Sequence, residues 1–322
     1  MKTFRRSALA LLSLLSVSPL RPAEKYPTHP DSVAQPGVPV GELLQLKFTG
    51  SKIFPGTVHE VTVYVPKQYD PAKPACVHVN QDGVQFNAPV VFDNLIARGE
   101  LPVIIGVFVK PGVVPAADRA NALDRFNRSF EYDGLGDAYA RFLLEELLPF
   151  VEQQQTADAR ALRLSHSGND RCIAGQSSGG SAAFTAAWER CGEFSRVLTT
   201  IGSFVDLRGG LRIPSLVRRT EPRALRVFMV DGNNDLNIYS GDWWMAAQTL
   251  ERALTYANYE VKHAWDDGAH SGAYATALFP DIVRWLWHDW PQPVKQANSL
   301  PNASGRFLSR AKTGSSSAKA TN

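Results

Sequence analysis

The sequence predicts an α/β fold with a mostly parallel central sheet and helices on both faces. Short apolar segments of strand length alternate with longer segments of helical periodicity over most of the 322 residues. The continuous apolar run at 102–109 is typical of a strand that is buried on both faces in a parallel sheet. With 44% hydrophobic residues, the chain can also bury an ordinary core.

Each element follows from its own residue pattern. Alternating apolar and polar residues predict half-buried strands at 44–48 and 58–65. Apolar runs predict strands at 77–79, 102–109, 172–174, 197–201 and 225–230, and a last strand is expected at 259–264. Helices are expected at 91–97, 139–151, 182–188, 243–256 and 271–287. Pro149 is expected to kink the second of these helices near its end.

The two ends of the chain differ in composition from the part between them. Residues 1–23 combine a basic start with a short apolar run, which predicts a signal peptide and hence a secreted or periplasmic protein. An uncleaved membrane anchor is the alternative. Pro-rich and polar residues predict an extended lead-in at 24–42, and Ser, Ala and Lys predict a disordered tail at 292–322. Residues 43–291 are expected to form one domain, with no stable membrane insertion after processing.

The formal net charge of +3 arises from the two ends of the chain. Nine of the 34 basic residues lie in residues 1–23 and 292–322, which contain no acidic residue, so acidic residues outnumber basic ones between them. This balance disfavours nucleic acid as a partner. The three cysteines show no metal-ligand spacing, and we expect neither a disulfide framework nor a metal site; they are Cys76, Cys172 and Cys191.

The motif G-x-S-x-G occupies residues 175–179, between a predicted strand and a predicted helix. A sharp strand-to-helix turn of this kind holds its central serine in a strained conformation and lifts the hydroxyl above the sheet. Ser177 is therefore a candidate nucleophile. The alternative is a Gly/Ser loop in which Ser177 or Ser178 only caps the helix.

Polar loops also follow two later strands. The strand at 225–230 runs into the turn-rich loop 231–235, and the strand at 259–264 precedes His270 in a Gly-flanked loop. A serine hydroxyl needs an imidazole to take its proton, and the imidazole needs a carboxylate to fix its tautomer. The order serine, acid, histidine, each at the end of its own strand, is that expected of an α/β-hydrolase.

Three carboxylates compete for the role of the acid. Asp231 directly follows the predicted strand, and Asp242 directly precedes the helix at 243–256 and is expected to cap it. Asp235 lies in the intervening loop, far enough out to turn back toward His270. We therefore favour Asp235.

Five short motifs, spread over most of residues 58–290, carry a specific resemblance. They are N-Q-D-G at 80–83, R-S-F-E-Y at 128–132, G-Q-S-S-G-G at 175–180, D-G-N-N-D at 231–235 and G-A-H-S at 268–271. With them the chain resembles the putative-esterase family of α/β-hydrolases, which includes enterochelin-esterase-like, esterase-D-like, feruloyl-esterase and mycolyltransferase domains. The resemblance implies a carboxylic-ester hydrolase without a cofactor, with Ser177, Asp235 and His270 as its catalytic triad.

An oxyanion hole requires two backbone N–H donors aimed at the developing negative charge. The residue after the nucleophile, Ser178, is expected to supply one of them. Resemblance to the mycolyltransferase branch implies that Val84 supplies the other, with Gly83 as the alternative. An ordinary tight turn at 82–83 would explain this loop without any function. Asp82 in the same loop is predicted to contact the substrate.

Aromatic residues follow the loop 231–235, the acid loop. Tyr239, Trp243 and Trp244 could form a wall beside the triad that suits a sugar or phenolic ring, and Trp243 is predicted to bind substrate. With export, this favours a small-molecule or carbohydrate-linked ester, such as a plant polysaccharide or siderophore ester. Two alternatives stay open at this point: an acyltransferase with the same triad, and a non-catalytic binding module on a hydrolase fold.

Overall fold

The computed structural model describes residues 25–296. The predicted signal peptide at 1–23 and most of the predicted tail at 292–322 lie outside the described residues. The strands are β1 (Glu42–Thr49), β2 (Val58–Val65), β3 (Cys76–Gln81), β4 (Ile104–Val109), β5 (Val113–Val114), β6 (Arg125–Phe126), β7 (Arg171–Gln176), β8 (Arg196–Thr200), β9 (Arg226–Asn234), β10 (Asn237–Ile238), β11 (Gly241–Asp242) and β12 (Glu260–Ala269).

The helices alternate with these strands. They are α1 (Ala88–Ala97), α2 (Arg128–Tyr132), α3 (Ala138–Arg141), α4 (Leu148–Glu152), α5 (Ser178–Glu189), α6 (Ile213–Arg219), α7 (Trp243–Tyr256) and α8 (Ala273–Trp287). A π-helical turn, Phe142–Leu147, joins α3 to α4. Short 3₁₀ turns occupy Pro30–Ser32, Gly168–Asp170 and Gly210–Arg212.

One ten-stranded sheet organises the molecule, in the order β12-β9-β8-β7-β3-β4-β2-β5-β6 with β1 paired to β2. The six strands from β12 to β4 pair in parallel, whereas β1, β2, β5 and β6 form an antiparallel edge. Side chains of successive strand residues point to opposite faces and feed two apolar clusters. One cluster contains residues of α5 and α7, and the other contains residues of α1 and α8. The predicted mostly parallel sheet with helices on both faces is confirmed.

The carboxyl ends of parallel strands meet at one edge of the sheet. Residues 82–84 follow β3, Ser177 follows β7, Asp235 follows β9 and His270 follows β12. The four segments that the sequence singles out therefore lie at the same edge.

Two strands at this edge are longer than predicted. β9 and β12 continue to pair through Asp231 with Trp265 and Gly232 with Asp266, beyond the apolar core. The apolar run of β9 ends at Val230, because only the part of the strand that packs against helices needs apolar side chains. Asp231 therefore lies within a strand, not directly after it.

Pro149 disturbs the part of the helix that precedes it. Proline donates no backbone hydrogen bond and its ring crowds the carbonyl group four residues earlier. The helix accommodates this with the π-helical turn Phe142–Leu147, and regular α-helix resumes at Leu148 with Pro149 in its first turn.

The segment before β1 is tied to two helices. The Asn94 amide on α1 donates to the carbonyl groups of Asp31 and Val33, each at 2.9 Å, and Arg284 on α8 pairs with the Asp31 carboxylate at 2.5 Å. Among residues 25–296, no helix is long and apolar enough to cross a membrane.

Candidate active site

Ser177 occupies a strained turn between β7 and α5. Its φ of 55° and ψ of −127° lie in a region that residues other than glycine rarely adopt. A Cβ atom at Gly175 would overlap the backbone of Gly179, and one at Gly179 would contact the Asp82 carboxylate. The side chain of Ser177 makes no capping hydrogen bond to α5, although it occupies the N-cap position. The turn therefore presents the hydroxyl outward instead of using it as a helix cap.

Three side chains from separate strand ends form one hydrogen-bonded chain. His270 Nε2 lies 3.0 Å from Ser177 Oγ, and His270 Nδ1 lies 2.5 Å from Asp235 Oδ1. The Asp235 side chain is fully buried, and that of His270 is 22% exposed. This arrangement lets the imidazole accept the serine proton while the buried carboxylate stabilises the resulting positive charge.

The three competing carboxylates occupy different environments. Asp242 Oδ1 accepts a hydrogen bond of 2.9 Å from the Met245 N–H, which confirms that it caps α7. Burial opposes ionisation of Asp235, but hydrogen bonds from His270, from Asp231 and from the Leu236 N–H hold its pKa below the ordinary value. Burial, followed by the hydrogen bond to Asp235, raises the pKa of Asp231 to about 9. At neutral pH Asp235 is therefore the ionised member of this pair.

The loop after β3 is held from three sides. Arg128 donates to both carboxylate oxygens of Asp82 at 2.8 and 2.9 Å, and the Asp82 N–H donates to the Tyr132 hydroxyl at 3.3 Å. The Asn80 amide donates to the Gly83 carbonyl group at 3.0 Å. The Asp82 carboxylate is thus paired with Arg128 on α2, and its contact with substrate stays a prediction.

The two candidate oxyanion donors in this loop differ in their partners. The Gly83 N–H donates to the Val109 carbonyl oxygen at 3.1 Å and is therefore engaged in the structure. The Val84 N–H donates to no acceptor among residues 25–296, and its side chain is 45% exposed. A free N–H is what an oxyanion donor requires, so this difference favours Val84 over Gly83.

Sequence reasoning missed Ser203, which lies after β8 at the same edge of the sheet. Its hydroxyl oxygen lies 3.4 Å from Ser177 Oγ and accepts a hydrogen bond of 3.1 Å from Trp243 Nε1. Because the indole N–H can only donate, the hydroxyl proton of Ser203 remains available for donation to Ser177 Oγ. The rule that exposed the other candidates, a polar residue at the carboxyl end of a parallel strand, would also have found Ser203.

The three aromatic residues near the acid loop do not form a single wall. Trp243 is 3% exposed and packs edge-on against His270, with ring centroids 5.9 Å apart. Trp244 packs against Trp265 instead, and Tyr239 is 94% exposed. Trp243 thus supports the imidazole, and its contact with substrate stays a prediction.

The strand histidines have structural environments. His59 is buried against Glu131 at 3.2 Å, and burial lowers the pKa of His78 to about 4. Within the described part of the chain, no three His, Cys, Asp or Glu side chains cluster in a way that could hold a metal ion. The three cysteines are unpaired, with Cys76 and Cys172 buried in strands.

Ser203 and Trp243 are expected to act together. Ser203→Ala should lower kcat by up to about tenfold, the scale of one lost neutral hydrogen bond, and should leave the buried indole N–H without an acceptor. Trp243→Phe keeps the aromatic ring and removes that donor. The loss in the double variant should therefore be smaller than the sum of the two single losses. Steady-state kinetics of the four proteins measure this coupling, and strictly additive losses would contradict it.

The chain is similar to known proteins in both sequence and fold. A protein-family model described as "Putative esterase" matches residues 53–286. No curated protein sequence matches the chain significantly. Among solved structures, an enterobactin esterase from Shigella flexneri superposes with a TM-score of 0.59 at 18% identity, over 81% of this chain and 63% of that one. This chain thus spans less than two thirds of that esterase.

Fungal and other esterases superpose over nearly their whole length. A ferulic acid esterase from Anaeromyces mucronatus gives a TM-score of 0.59 at 17% identity, over 80% of this chain and 94% of that one. A second ferulic acid esterase gives 0.57 at 18% identity, over 77% and 98%. At such low identity these likenesses establish the fold, which is that of the α/β-hydrolases. Because the family model covers most of the described residues, the chain belongs to the putative-esterase family, as its motifs predict.

Proposed function

We propose that the protein is a serine esterase that hydrolyses carboxylic esters through Ser177, His270 and Asp235. The contact of His270 with both Ser177 and Asp235, at 3.0 and 2.5 Å, is the observation that carries the proposal. Membership of an esterase family supports ester hydrolysis as the reaction. The strained backbone of Ser177 supports its role, because such strain is characteristic of functional turns.

The reaction follows from the positions of the three side chains. Ser177 Oγ attacks the ester carbonyl carbon while its proton passes to His270 Nε2. His270 then gives this proton to the alcohol oxygen as the carbon–oxygen bond breaks, which leaves the acyl group on Ser177. A water molecule, deprotonated by His270, attacks the acyl-enzyme and releases the acid. Asp235 keeps the imidazole in one tautomer and stabilises its charged form throughout.

The tetrahedral intermediates carry negative charge on the former carbonyl oxygen. We assign its stabilisation to the N–H groups of Ser178 and Val84. Ser178 is the first residue of α5, where N–H groups have no acceptor within the helix. The free N–H of Val84, and the fixation of its loop by Arg128, support the second assignment. Each donor is expected to contribute roughly 3–4 kcal/mol to the transition state.

The substrate is proposed to be an exported carbohydrate, phenolic or siderophore-type ester. The structural neighbours include an enterobactin esterase and ferulic acid esterases, which supports these classes. We further propose that residues 1–23 direct secretion or periplasmic export and that residues 43–291 form the catalytic domain. The basic and then apolar composition at the start of the chain supports this division.

Ester hydrolysis is tested by turnover of short-chain p-nitrophenyl esters in the presence of EDTA. We expect hydrolysis with an unchanged rate in the chelator, because the proposed mechanism uses no metal. Loss of activity in EDTA that a divalent ion restores would contradict the proposed mechanism. Added alcohol acceptors test the acyltransferase alternative, since faster release of p-nitrophenol together with a new ester would favour it. A chain that turns over no ester would favour the binding-module alternative.

A further inference from the structure

Asp231 is a buried carboxyl group directly behind the acid of the proposed triad. It lies in β9, is 2% exposed, and accepts through Oδ1 a hydrogen bond of 2.7 Å from the Gly232 N–H. Its Oδ2 atom and the Oδ2 atom of Asp235 are both buried, and neither receives an N–H or hydroxyl donor from residues 25–296. Two buried acceptors without donors are costly unless they satisfy each other.

One proton shared between the two carboxyl groups solves this problem. Two buried carboxylates in contact cannot both be ionised, whereas a protonated carboxyl group can donate to an ionised one. Asp235 is the better place for the negative charge because it receives the Nδ1–H of His270 and the Leu236 N–H. Asp231 receives only one backbone N–H and is surrounded by the sheet. The proton therefore resides on Asp231, as its raised pKa also indicates.

We propose that Asp231 is a positioning residue that stays neutral at physiological pH and donates a hydrogen bond to Oδ2 of Asp235. This rests on the proposed function of Asp235 and extends it. Asp231 makes no hydrogen bond to His270 and acts through Asp235. Its hydrogen bond fixes the plane of the Asp235 carboxylate, so that the other oxygen faces His270 Nδ1.

The charged and titratable groups around Asp231 are compatible with a neutral Asp231 carboxyl group. Asp235 after β9 and Asp242 at the start of α7 act on it, and His270 follows the neighbouring strand β12. A small cavity beside Asp231 is also lined by Tyr26, Asp266 and Tyr274, and no Lys or Arg side chain lines it. The pKa values of both tyrosines are raised by burial. Lys25 is the cation at this end of the sheet, and it pairs with Asp266 at 3.7 Å and with Asp267, so two carboxylates offset its charge. The carboxylates of Asp235 and Asp242 favour the neutral form of Asp231.

Three variants separate the donated hydrogen bond from the mere presence of a carboxyl group. Asp231→Asn keeps a donor, because its amide N–H can reach Asp235, and should keep kcat within about threefold of the wild type. Asp231→Ala removes the donor and should lower kcat by about 10- to 100-fold. Asp93→Asn is the matched control. Asp93 is also a buried carboxyl group with a pKa raised by burial, but its hydrogen-bond partners are Tyr64 and Gly41 and not residues of the triad.

The pH profile provides a readout that a purely structural residue would not change. In the wild type, kcat should fall as the pH rises through about 9, because Asp231 then ionises and repels Asp235. Asp231→Asn has no proton to lose and should lack this alkaline decline. Asp93→Asn and Tyr26→Phe should both retain it. Persistence of the decline in Asp231→Asn, or equal activity of Asp231→Ala and Asp231→Asn, would overturn the proposal.

Thermal unfolding tests the shared proton without any substrate. A group whose pKa is raised by folding stabilises the native state fully below its unfolded pKa of about 3.9, and this stability is lost as the pH rises toward the folded pKa. Wild-type Tm should therefore fall relative to that of Asp231→Asn between about pH 4 and pH 9. A pH-independent difference would contradict the shared proton. If the wild type hydrolyses no ester while this Tm difference is present, the proposed function has failed and the proton assignment stands.

Discussion

The Ser177→Ala variant is expected to lose about 10⁶-fold in kcat on a p-nitrophenyl ester while it keeps its fold. A loss of this size follows when a nucleophile that acts with its base as one unit is removed. Alanine retains a Cβ atom, so the backbone strain at φ 55° and ψ −127° persists and stability should change little. Steady-state kinetics measure the loss in kcat, and circular dichroism measures the fold and its thermal stability.

The matched controls for this variant are Ser178→Ala and Ser177→Gly. Ser178→Ala keeps the backbone N–H proposed for the oxyanion hole and should retain most of the activity. Ser177→Gly should be as inactive as Ser177→Ala but more stable, by about 1 kcal/mol, because glycine relieves the strain. A fluorophosphonate label that reacts with Ser178 instead of Ser177 would contradict the assignment of the nucleophile.

The sequence is sufficient to predict the sheet because each central strand is an apolar run between polar loops. The run at 102–109 contains β4, and the run at 225–230 covers the core part of β9. The last residues of β9, from Asp231 to Asn234, have a sequence typical of a turn. They nevertheless form a strand, because they pair with β12 beyond the helices that cover the sheet. Their strand character is set by the neighbouring β12, and a local sequence pattern contains no information about that neighbour.

A site residue could be predicted from the sequence when its position directly after one strand was enough to identify it. Ser177 and His270 each follow a strand with glycines nearby, and the structure brings their side chains to 3.0 Å. The roles assigned to Ser203 and Asp231 could not be predicted, because they depend on contacts with Trp243 and Asp235. Such contacts join residues from different strands and helices, so they emerge only from the packed fold.

The Asp235→Asn variant is expected to lower kcat by on the order of 10⁴ while the protein remains folded, the loss seen when the wrong imidazole tautomer is held. The hydrogen bond from Asp231 strengthens this expectation. An amide at position 235 must offer its carbonyl oxygen to the Asp231 proton, which turns its NH₂ group toward His270 Nδ1. His270 would then carry its proton on Nε2, where it faces Ser177 and cannot accept the serine proton.

The other two carboxylates near the acid loop make this experiment specific. Asp242→Ala should cost about 1 kcal/mol of stability through the lost α7 cap, with kcat largely preserved. Asp231→Asn should stay active, because it still donates to Asp235. ¹⁵N NMR of the His270 imidazole measures the tautomer directly and should show the Nδ1–H form in the wild type and the Nε2–H form in Asp235→Asn. An active Asp235→Asn together with an inactive Asp231→Asn would place the catalytic acid at Asp231.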